Sequence, residues 1–172
     1  EVIAEAEIAD ERLFAVLRTN VLAKPPRPGE QTLIRDFGLR YDFPDAWYAF
    51  YKDGKAEITL DRARLPFNQQ NFKVKAAHFR IVTKQGVAAN NIKLKVTGPN
   101  GASGTVTTNA SGIVSTSAPA LAGIVNANPV GKWKIEVVEG PSLLDAGVMK
   151  FDRVYNVQFG LEYSFDFVPE AV

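Results

Sequence analysis

The chain has 172 residues, of which 46% are hydrophobic and 23% are charged, as is ordinary for one globular domain. Its formal net charge of +1 gives no general attraction to nucleic acid or membrane surfaces, so neither is expected as a partner. There is no cysteine, which excludes disulfides and thiolate metal sites, and no apolar run approaches the roughly 20 residues of a membrane-spanning helix.

The first 30 residues are predicted to form an N-terminal arm or lead-in segment, ahead of a domain over residues 31–172. Residues 2–17 fit either an alanine-rich helix or a pair of strand segments. The proline-rich run at 24–29 then breaks any regular element, because proline lacks a backbone N–H and fixes its own φ. The chain does not begin with methionine, and we expect it to be a fragment of a larger protein.

Residues 41–51 form the most aromatic segment of the chain, with six aromatic side chains in eleven positions. A strand over 33–41 is expected to lead into this segment, since apolar side chains recur along it. One short helix is predicted near residues 43–51, because Asp42 can cap its start and Pro44 suits its first turn.

This aromatic segment is either a plug that closes one end of the domain or a binding surface. In a helix Phe43, Trp47 and Phe50 share one face, and that spacing favours burial. Tyrosine and tryptophan rings have an apolar body and a polar tip, so exposed ones favour binding, including stacking against sugars. The candidate binding residues are Trp47, Tyr48, Tyr51 and Trp133.

Alternation of apolar and polar residues predicts several β-strands after the aromatic segment. The longest covers 155–167, where Tyr155 and the other odd-numbered positions are expected to face a core. A change of phase at Ala76-Ala77 indicates a β-bulge, or a change of register between two partners. Other strands are predicted over 58–60, 72–81, 92–96 and 133–137.

Turn residues separate these strands and indicate the fold class. Residues 98–101 (GPNG) form a turn, and residues 109–112 are expected to join 105–108 and 113–116 as a β-hairpin. About seven to nine short strands with regular turn signals predict an all-β fold. The expected architecture over residues 31–172 is an antiparallel β-sandwich, either immunoglobulin-like or jelly-roll.

Several polar groups carry weaker functional hypotheses. Asp42, Asp45 and Asp53 lack the close spacing of a calcium loop, and capping and turns explain them better. His78 has no nucleophile motif near it and is expected to be structural. The basic residues between 52 and 95 mostly alternate with apolar strand positions, which favours a solvated outer face over an anion site.

The stretch over residues 98–131 has no charged side chain. It is either a contact surface that avoids burying charge, or a set of loops and a thin hairpin. No catalytic motif, metal-ligand spacing or phosphate-binding loop stands out in the chain. We therefore expect no enzymatic activity, no cofactor and no metal site.

Four segments in a fixed order carry a resemblance to a known family. They are DFPDAWYAF at 42–50, RLPF at 64–67, GKWKIEV at 131–137 and FDRVYNVQFGLEYS at 151–164. Their order resembles the C-terminal β-rich module of toxin-complex A-component and neuraminidase-like insecticidal toxin proteins of bacteria. The chain departs from the family pattern at Leu65, where the family has an aromatic residue, and at Asn156, where it usually has Asp.

The resemblance implies a binding module of a large secreted bacterial toxin, without enzymatic activity. Modules of this family are associated with docking the cocoon components of the toxin or with recognising the host surface. We therefore expect protein–protein docking, with other toxin-complex subunits or the remainder of a larger toxin chain as partners. The alternative is binding of a host-surface glycan or receptor.

Overall fold

The computed structural model describes residues 31–169, and these residues form two four-stranded antiparallel sheets and one two-stranded sheet. No helix among them is both long enough and apolar enough to cross a membrane. The strands are β1 (Gln31–Gly38), β2 (Lys55–Leu60), β3 (Gln69–Thr83), β4 (Lys93–Thr97), β5 (Ser103–Thr107), β6 (Ile113–Ser115), β7 (Gly131–Glu139), β8 (Leu144–Asp145), β9 (Val148–Met149) and β10 (Val154–Phe167). The α-helices are α1 (Leu39–Asp42) and α2 (Pro44–Asp53), and short 3₁₀ turns lie at Arg62–Arg64, Pro119–Ile124, Pro141–Leu143 and Phe151–Arg153.

The connectivity of the two large sheets identifies the sandwich type. One sheet has the order β1-β10-β3-β6 and the other has the order β2-β7-β4-β5. The antiparallel pairs are therefore nested: β4 with β5 innermost, then β3 with β6, β2 with β7, and β1 with β10 outermost. This nesting of eight strands over two sheets is a jelly roll. The expected all-β sandwich is confirmed, and the topology selects the jelly-roll alternative.

The long C-terminal strand β10 lies in the middle of its sheet, as its alternating sequence predicts. It pairs with β1 from Gln31↔Phe165 to Gly38↔Gln158, and with β3 along its other edge. Its inward side chains Val157, Phe159 and Leu161 are fully buried, and Phe159 packs on Trp133 of the facing sheet.

Three irregularities interrupt the pairing of β10 with β3, at Val154/Asn156, Glu162/Tyr163 and Ser164/Asp166. Glu162 pairs with Ala76 and Tyr163 pairs with Val74, so the phase change seen in the sequence is a β-bulge with Lys75 as its extra residue. A second irregularity places Tyr155 as an extra residue on β10, between the pairs that Val154 and Asn156 make with Thr83 and Val82. The sequence prediction that Tyr155 faces the core is wrong, because this bulge turns its side chain outward, where it is 44% exposed.

An aromatic cluster forms the centre of the core between the two sheets. Phe79 on β3 stacks on Phe159 with ring centroids 4.8 Å apart, and Trp133 on β7 lies 5.0 Å from Phe159. The indole N–H of Trp133 donates to the carbonyl of Pro129 at 2.9 Å, which satisfies the one polar atom of that buried ring. Contacts of this kind join the inner faces of the two sheets.

The aromatic segment forms two short helices. β1 ends at Gly38 and α1 begins at Leu39, so the predicted strand extends too far and α1 is an element that the sequence did not indicate. The predicted helix near 43–51 is confirmed as α2, with Pro44 in its first turn, but its N-cap is Phe43, so the predicted capping by Asp42 is wrong. Gly54 ends α2 in the left-handed region at φ 72°, and the Phe151 ring lies where a Cβ atom would be.

The predicted hairpin over residues 105–116 is wrong, although its turn is present. Gly112 N–H donates to the Asn109 carbonyl at 2.9 Å, closing the turn. The flanking strands belong to different sheets, however, because β5 pairs with β4 and β6 pairs with β3. The residues between them therefore carry the chain from one layer of the sandwich to the other.

The proposed division of the chain at residue 30 stays a prediction. Residues 1–30 and 170–172 lie outside the described part, and so do the alternatives for residues 2–17.

Candidate functional site

An exposed row of aromatic side chains lies where α1 and α2 meet the start of β10. We call it the aromatic strip and define it as Arg40, Tyr41, Trp47, Tyr51 and Tyr155. The three tyrosines are 69%, 46% and 44% exposed in that order, and Trp47 is half-buried. The strip combines residues of the neighbouring helices α1 and α2 with Tyr155 of β10, which is distant from them in the chain.

Arg40 holds the strip together. Its guanidinium carbon lies 4.7 Å from the ring centroid of Tyr155 and 5.9 Å from that of Trp47. Its Nη1 donates to the carbonyl of Tyr155 at 3.0 Å, and its backbone N–H donates to Oδ1 of Asn156 at 3.1 Å. Cation–π contacts and these hydrogen bonds therefore fasten α1 to the bulged start of β10.

The tyrosines at one end of the strip share a hydrogen bond. The hydroxyl groups of Tyr41 and Tyr155 lie 3.2 Å apart. This bond raises the pKa of Tyr41 above its ordinary value, the electrostatic effect of Tyr155 adds to the rise, and Arg40 opposes it. The pair presents two hydroxyl groups beside the Arg40 cation.

Helix α2 and the residue before it divide the aromatic segment into buried and exposed side chains, and binding by the exposed ones stays a prediction. Phe43 and Phe50 are buried and act as a plug. Trp47 stacks on Phe50 with centroids 6.1 Å apart, and its ring is 6.3 Å from that of Tyr51. Trp47 therefore connects the plug to the exposed strip, while Tyr48 is 67% exposed on the same helix.

Trp133 does not belong to any surface, which corrects its place among the candidate binding residues. Its side chain is fully buried between the sheets, against Phe79 and Phe159. A ring in that position cannot stack on an external ligand. The structure thus leaves Trp47, Tyr48 and Tyr51 as the predicted binding residues that lie at or near the surface.

Sequence reasoning missed Arg40 and Tyr155 as members of the site. The signal that could have identified Tyr155 is the spacing of Val154 and Val157, two buried positions three residues apart, which strict alternation does not allow. Arg40 left no local signal, because its partners Tyr155 and Asn156 lie more than a hundred positions away.

A second surface feature is the loop that follows β2. Phe67 is 91% exposed, and it borders an open depression with Ala63, Leu65 and Pro66. Arg62 stabilises this loop, since its guanidinium donates to the carbonyls of Leu65 at 3.0 Å, Phe67 at 3.4 Å and Gln69 at 2.6 Å.

The other polar candidates do not form a recognisable site. Within residues 31–169 no three His, Cys, Asp or Glu side chains are grouped so that they could bind a metal ion. Asp42 instead accepts a hydrogen bond from the backbone N–H of Gly38 at 2.7 Å. The His78 ring lies against Gly160, where a Cβ atom would overlap it.

Lysines on the outer face of the β2-β7 pair form ion pairs with glutamates, Lys55 with Glu136 and Lys134 with Glu57, each at 3.4 Å.

The uncharged stretch is largely occupied in building the fold. It supplies β5, β6 and the 3₁₀ turn at Pro119–Ile124, and that turn packs directly on Gly104 of β5. Leu121 and Ile124 of the turn are buried. Its use as a contact surface stays a prediction.

Comparisons with known proteins show a likeness of fold. No protein-family model matches the chain, and no curated protein matches its sequence. The cryo-EM structure of Yersinia pseudotuberculosis TcaA-TcaB is similar at a TM-score of 0.51 and 10% identity, over 92% of this chain and 11% of that chain. The chain thus spans about a tenth of that protein. The X-ray structure of tomato aspermy virus aligns at a TM-score of 0.33 and 12% identity, over 95% of this chain and 96% of that chain, and that score is too low to support an argument.

Proposed function

We propose that this jelly roll is a non-enzymatic binding and assembly module of a large, secreted bacterial toxin of the toxin-complex type. Its partner is another subunit of the complex or the remainder of a larger toxin chain. The observation that carries the proposal is the aromatic strip, an exposed and internally bonded set of aromatic rings around one arginine. The order of sequence motifs and the fold likeness to part of a Tc toxin structure support the toxin context.

The composition of the strip is typical of a protein-docking surface. Tyrosine, tryptophan and arginine are the residues most enriched among those that dominate binding energy at protein interfaces. The strip is also held in place before binding, because Arg40 and Tyr155 are hydrogen-bonded to each other and Tyr41 is bonded to Tyr155. Pre-ordered side chains lose less conformational entropy when a partner binds.

Co-purification with the cocoon components of the toxin complex tests this proposal. The double variant Tyr41→Ser/Tyr155→Ser removes two exposed rings from the strip, and we expect at least a tenfold loss of retained partner. Phe67→Ser is the matched control, since it removes a ring that is 91% exposed and lies outside the strip. Equal retention by wild type and the double variant would contradict the proposal.

The second candidate function is recognition of a host-surface glycan or receptor. The exposed tyrosines of the strip, and Tyr48 beside it, are the observation that favours it. A glycan array with the full chain tests this candidate, with Tyr48→Ser and Tyr51→Ser as variants. A silent array together with stable co-purification with toxin subunits would reject the glycan function and retain the docking function.

A further inference from the structure

The guanidinium of Arg40 is fixed in position but only partly used. A guanidinium has five N–H donors in one plane. In Arg40 one nitrogen, Nη1, donates to the carbonyl of Tyr155, and no other side-chain hydrogen bond of this residue is found within residues 31–169. The remaining donors include an edge that can bind both oxygens of a carboxylate.

No acidic side chain of residues 31–169 lies within ion-pair distance of this guanidinium. Within residues 31–169, Lys55, Lys134 and Arg153 form ion pairs with Glu136, Glu57 and Asp145, and none of these acids pairs with Arg40. The nearest acid in sequence on the same helix, Asp42, accepts from the Gly38 N–H instead. Arg40 is therefore a surface cation without a fixed counter-charge in the described part of the chain.

The rings beside Arg40 determine what kind of ligand it would favour. Tyr155 and Trp47 each have the guanidinium over one ring face, and Trp47 also stacks on Phe50. The guanidinium therefore covers one face of each of these two rings, and the exposed phenol groups of Tyr41 and Tyr155 beside it can contact a peptide. Partial exclusion of water by aromatic rings strengthens a charge-assisted hydrogen bond.

The geometry points to a carboxylate of a partner protein as the ligand of Arg40: an Asp or Glu side chain next to an apolar residue, bound through two parallel N–H···O bonds. This inference rests on the proposed docking function and adds the chemistry of the partner. The partner segment would place its carboxylate on the free edge of the guanidinium and its apolar side chain against Trp47 and Tyr51.

A binding experiment with small probes tests the inference directly. The full chain is titrated with N-acetyl-phenylalanine, which has a ring and a carboxylate, and with N-acetyl-phenylalaninamide, which lacks the charge. NMR signals of the Arg40 Nε–H and the Trp47 indole N–H report binding. We expect the carboxylate probe to bind about tenfold more tightly than the amide, which corresponds to about 1.4 kcal/mol.

Variants identify Arg40 as the origin of that preference. Arg40→Gln should abolish the difference between the two probes, and Arg40→Lys should retain part of it, since lysine keeps the charge but not the planar fork. Arg80→Gln is the control, because Arg80 is also an exposed arginine with one hydrogen bond, to the Ser111 carbonyl. An equal response of wild type to both probes would overturn the inference, and so would a preference that survives Arg40→Gln.

Two further results separate this inference from the proposed function. If glucuronate binds and N-acetyl-phenylalanine does not, the carboxylate belongs to an acidic sugar and the protein source is overturned. If Arg40→Gln keeps full co-purification with toxin subunits while Tyr41→Ser/Tyr155→Ser loses it, docking stands and the carboxylate inference fails. Loss of co-purification in both variants, with the fold intact by circular dichroism, supports both.

Discussion

Two arginines of this jelly roll pack on aromatic rings in similar ways and have different roles. Arg62 lies 4.8 Å from the Phe72 ring centroid and donates to three backbone carbonyls of its own loop. Arg40 lies 4.7 Å from the Tyr155 ring centroid and donates to one carbonyl through its side chain. The number of donors in use separates an arginine that stabilises the fold from one that is available to a ligand.

The surroundings of the two arginines differ in the same direction. Near Arg62, the buried Tyr163 hydroxyl donates to Oε1 of Gln69 at 2.9 Å, so the polar groups are paired with one another. Near Arg40, the hydroxyl groups of Tyr41 and Tyr155 bond to each other but remain exposed. We therefore expect changes near Arg62 to alter stability and changes near Arg40 to alter binding.

The largest expected effect on stability comes from Arg62→Ala. This change removes three charge-assisted hydrogen bonds to the loop carbonyls and the contact with Phe72, and we expect a loss of about 2–3 kcal/mol. Urea unfolding followed by circular dichroism measures the loss. A cost below that of Arg40→Ala would invalidate the distinction between the two arginines.

Trp47→Ala should have the next largest effect, because Trp47 is the half-buried member of the strip and stacks on Phe50 of the plug. We expect a loss of about 1–2 kcal/mol, since only the part of the ring that contacts Phe50 leaves the core. A fully buried tryptophan would cost about 3–5 kcal/mol. Thermal unfolding of Trp47→Ala, measured together with Trp47→Phe, distinguishes a half-buried ring from a fully buried one.

Tyr163→Phe should cost about 1 kcal/mol at neutral pH, because Oε1 of Gln69 loses its donor. Burial raises the pKa of Tyr163 above its ordinary value, while Arg35 and Arg62 oppose the rise. Above about pH 10 the unfolded chain releases this proton and the folded chain retains it, so the free energy of unfolding falls as pH rises. That part of the pH dependence should be missing in Tyr163→Phe. Identical slopes for the two proteins above pH 10 would contradict the burial explanation.

Tyr155→Phe should have the smallest effect on stability, about 0.5 kcal/mol or less, because the bond that it removes is exposed. Its effect should instead be seen in a titration. The pKa of Tyr41 is expected to fall toward its ordinary value, since the bond to Tyr155 is the largest cause of the rise. Carbon-13 NMR of labelled tyrosine measures the shift, with Tyr51→Phe as the control.

The sequence was sufficient where structure follows from local alternation. It predicted β10, β7 and the phase change near Ala76, with a bulge as one of two alternatives, because each depends on the order of apolar and polar residues along one strand. Alternation along one strand does not determine which sheet the strand joins, so the hairpin predicted around the turn at 109–112 is wrong. Sheet membership depends on partners far away in the chain.

The candidate site was predictable only in part, for the same reason. The density of aromatic residues in the sequence indicates a plug or a binding surface at α2. Only the structure shows which of these residues are buried, such as Phe50, and which are exposed. The role of Arg40 depends on Tyr155, which reaches the surface because one residue is added to β10. A single-residue bulge is a weak signal in one sequence, yet it decides the composition of the strip.

The nested order of strands has a consequence for how the chain folds. The β4–β5 hairpin joins residues that are close in sequence, whereas β1 and β10 join the two ends of the domain, with Gln31 opposite Phe165. Closing such a long loop is entropically unfavourable until many contacts repay it, so folding rates fall as contacts become less local. We expect slow folding that begins near β4–β5 and ends when β10 inserts between β1 and β3. During synthesis on a ribosome, β1 would therefore wait for almost the whole domain to be made before it could pair with its partner.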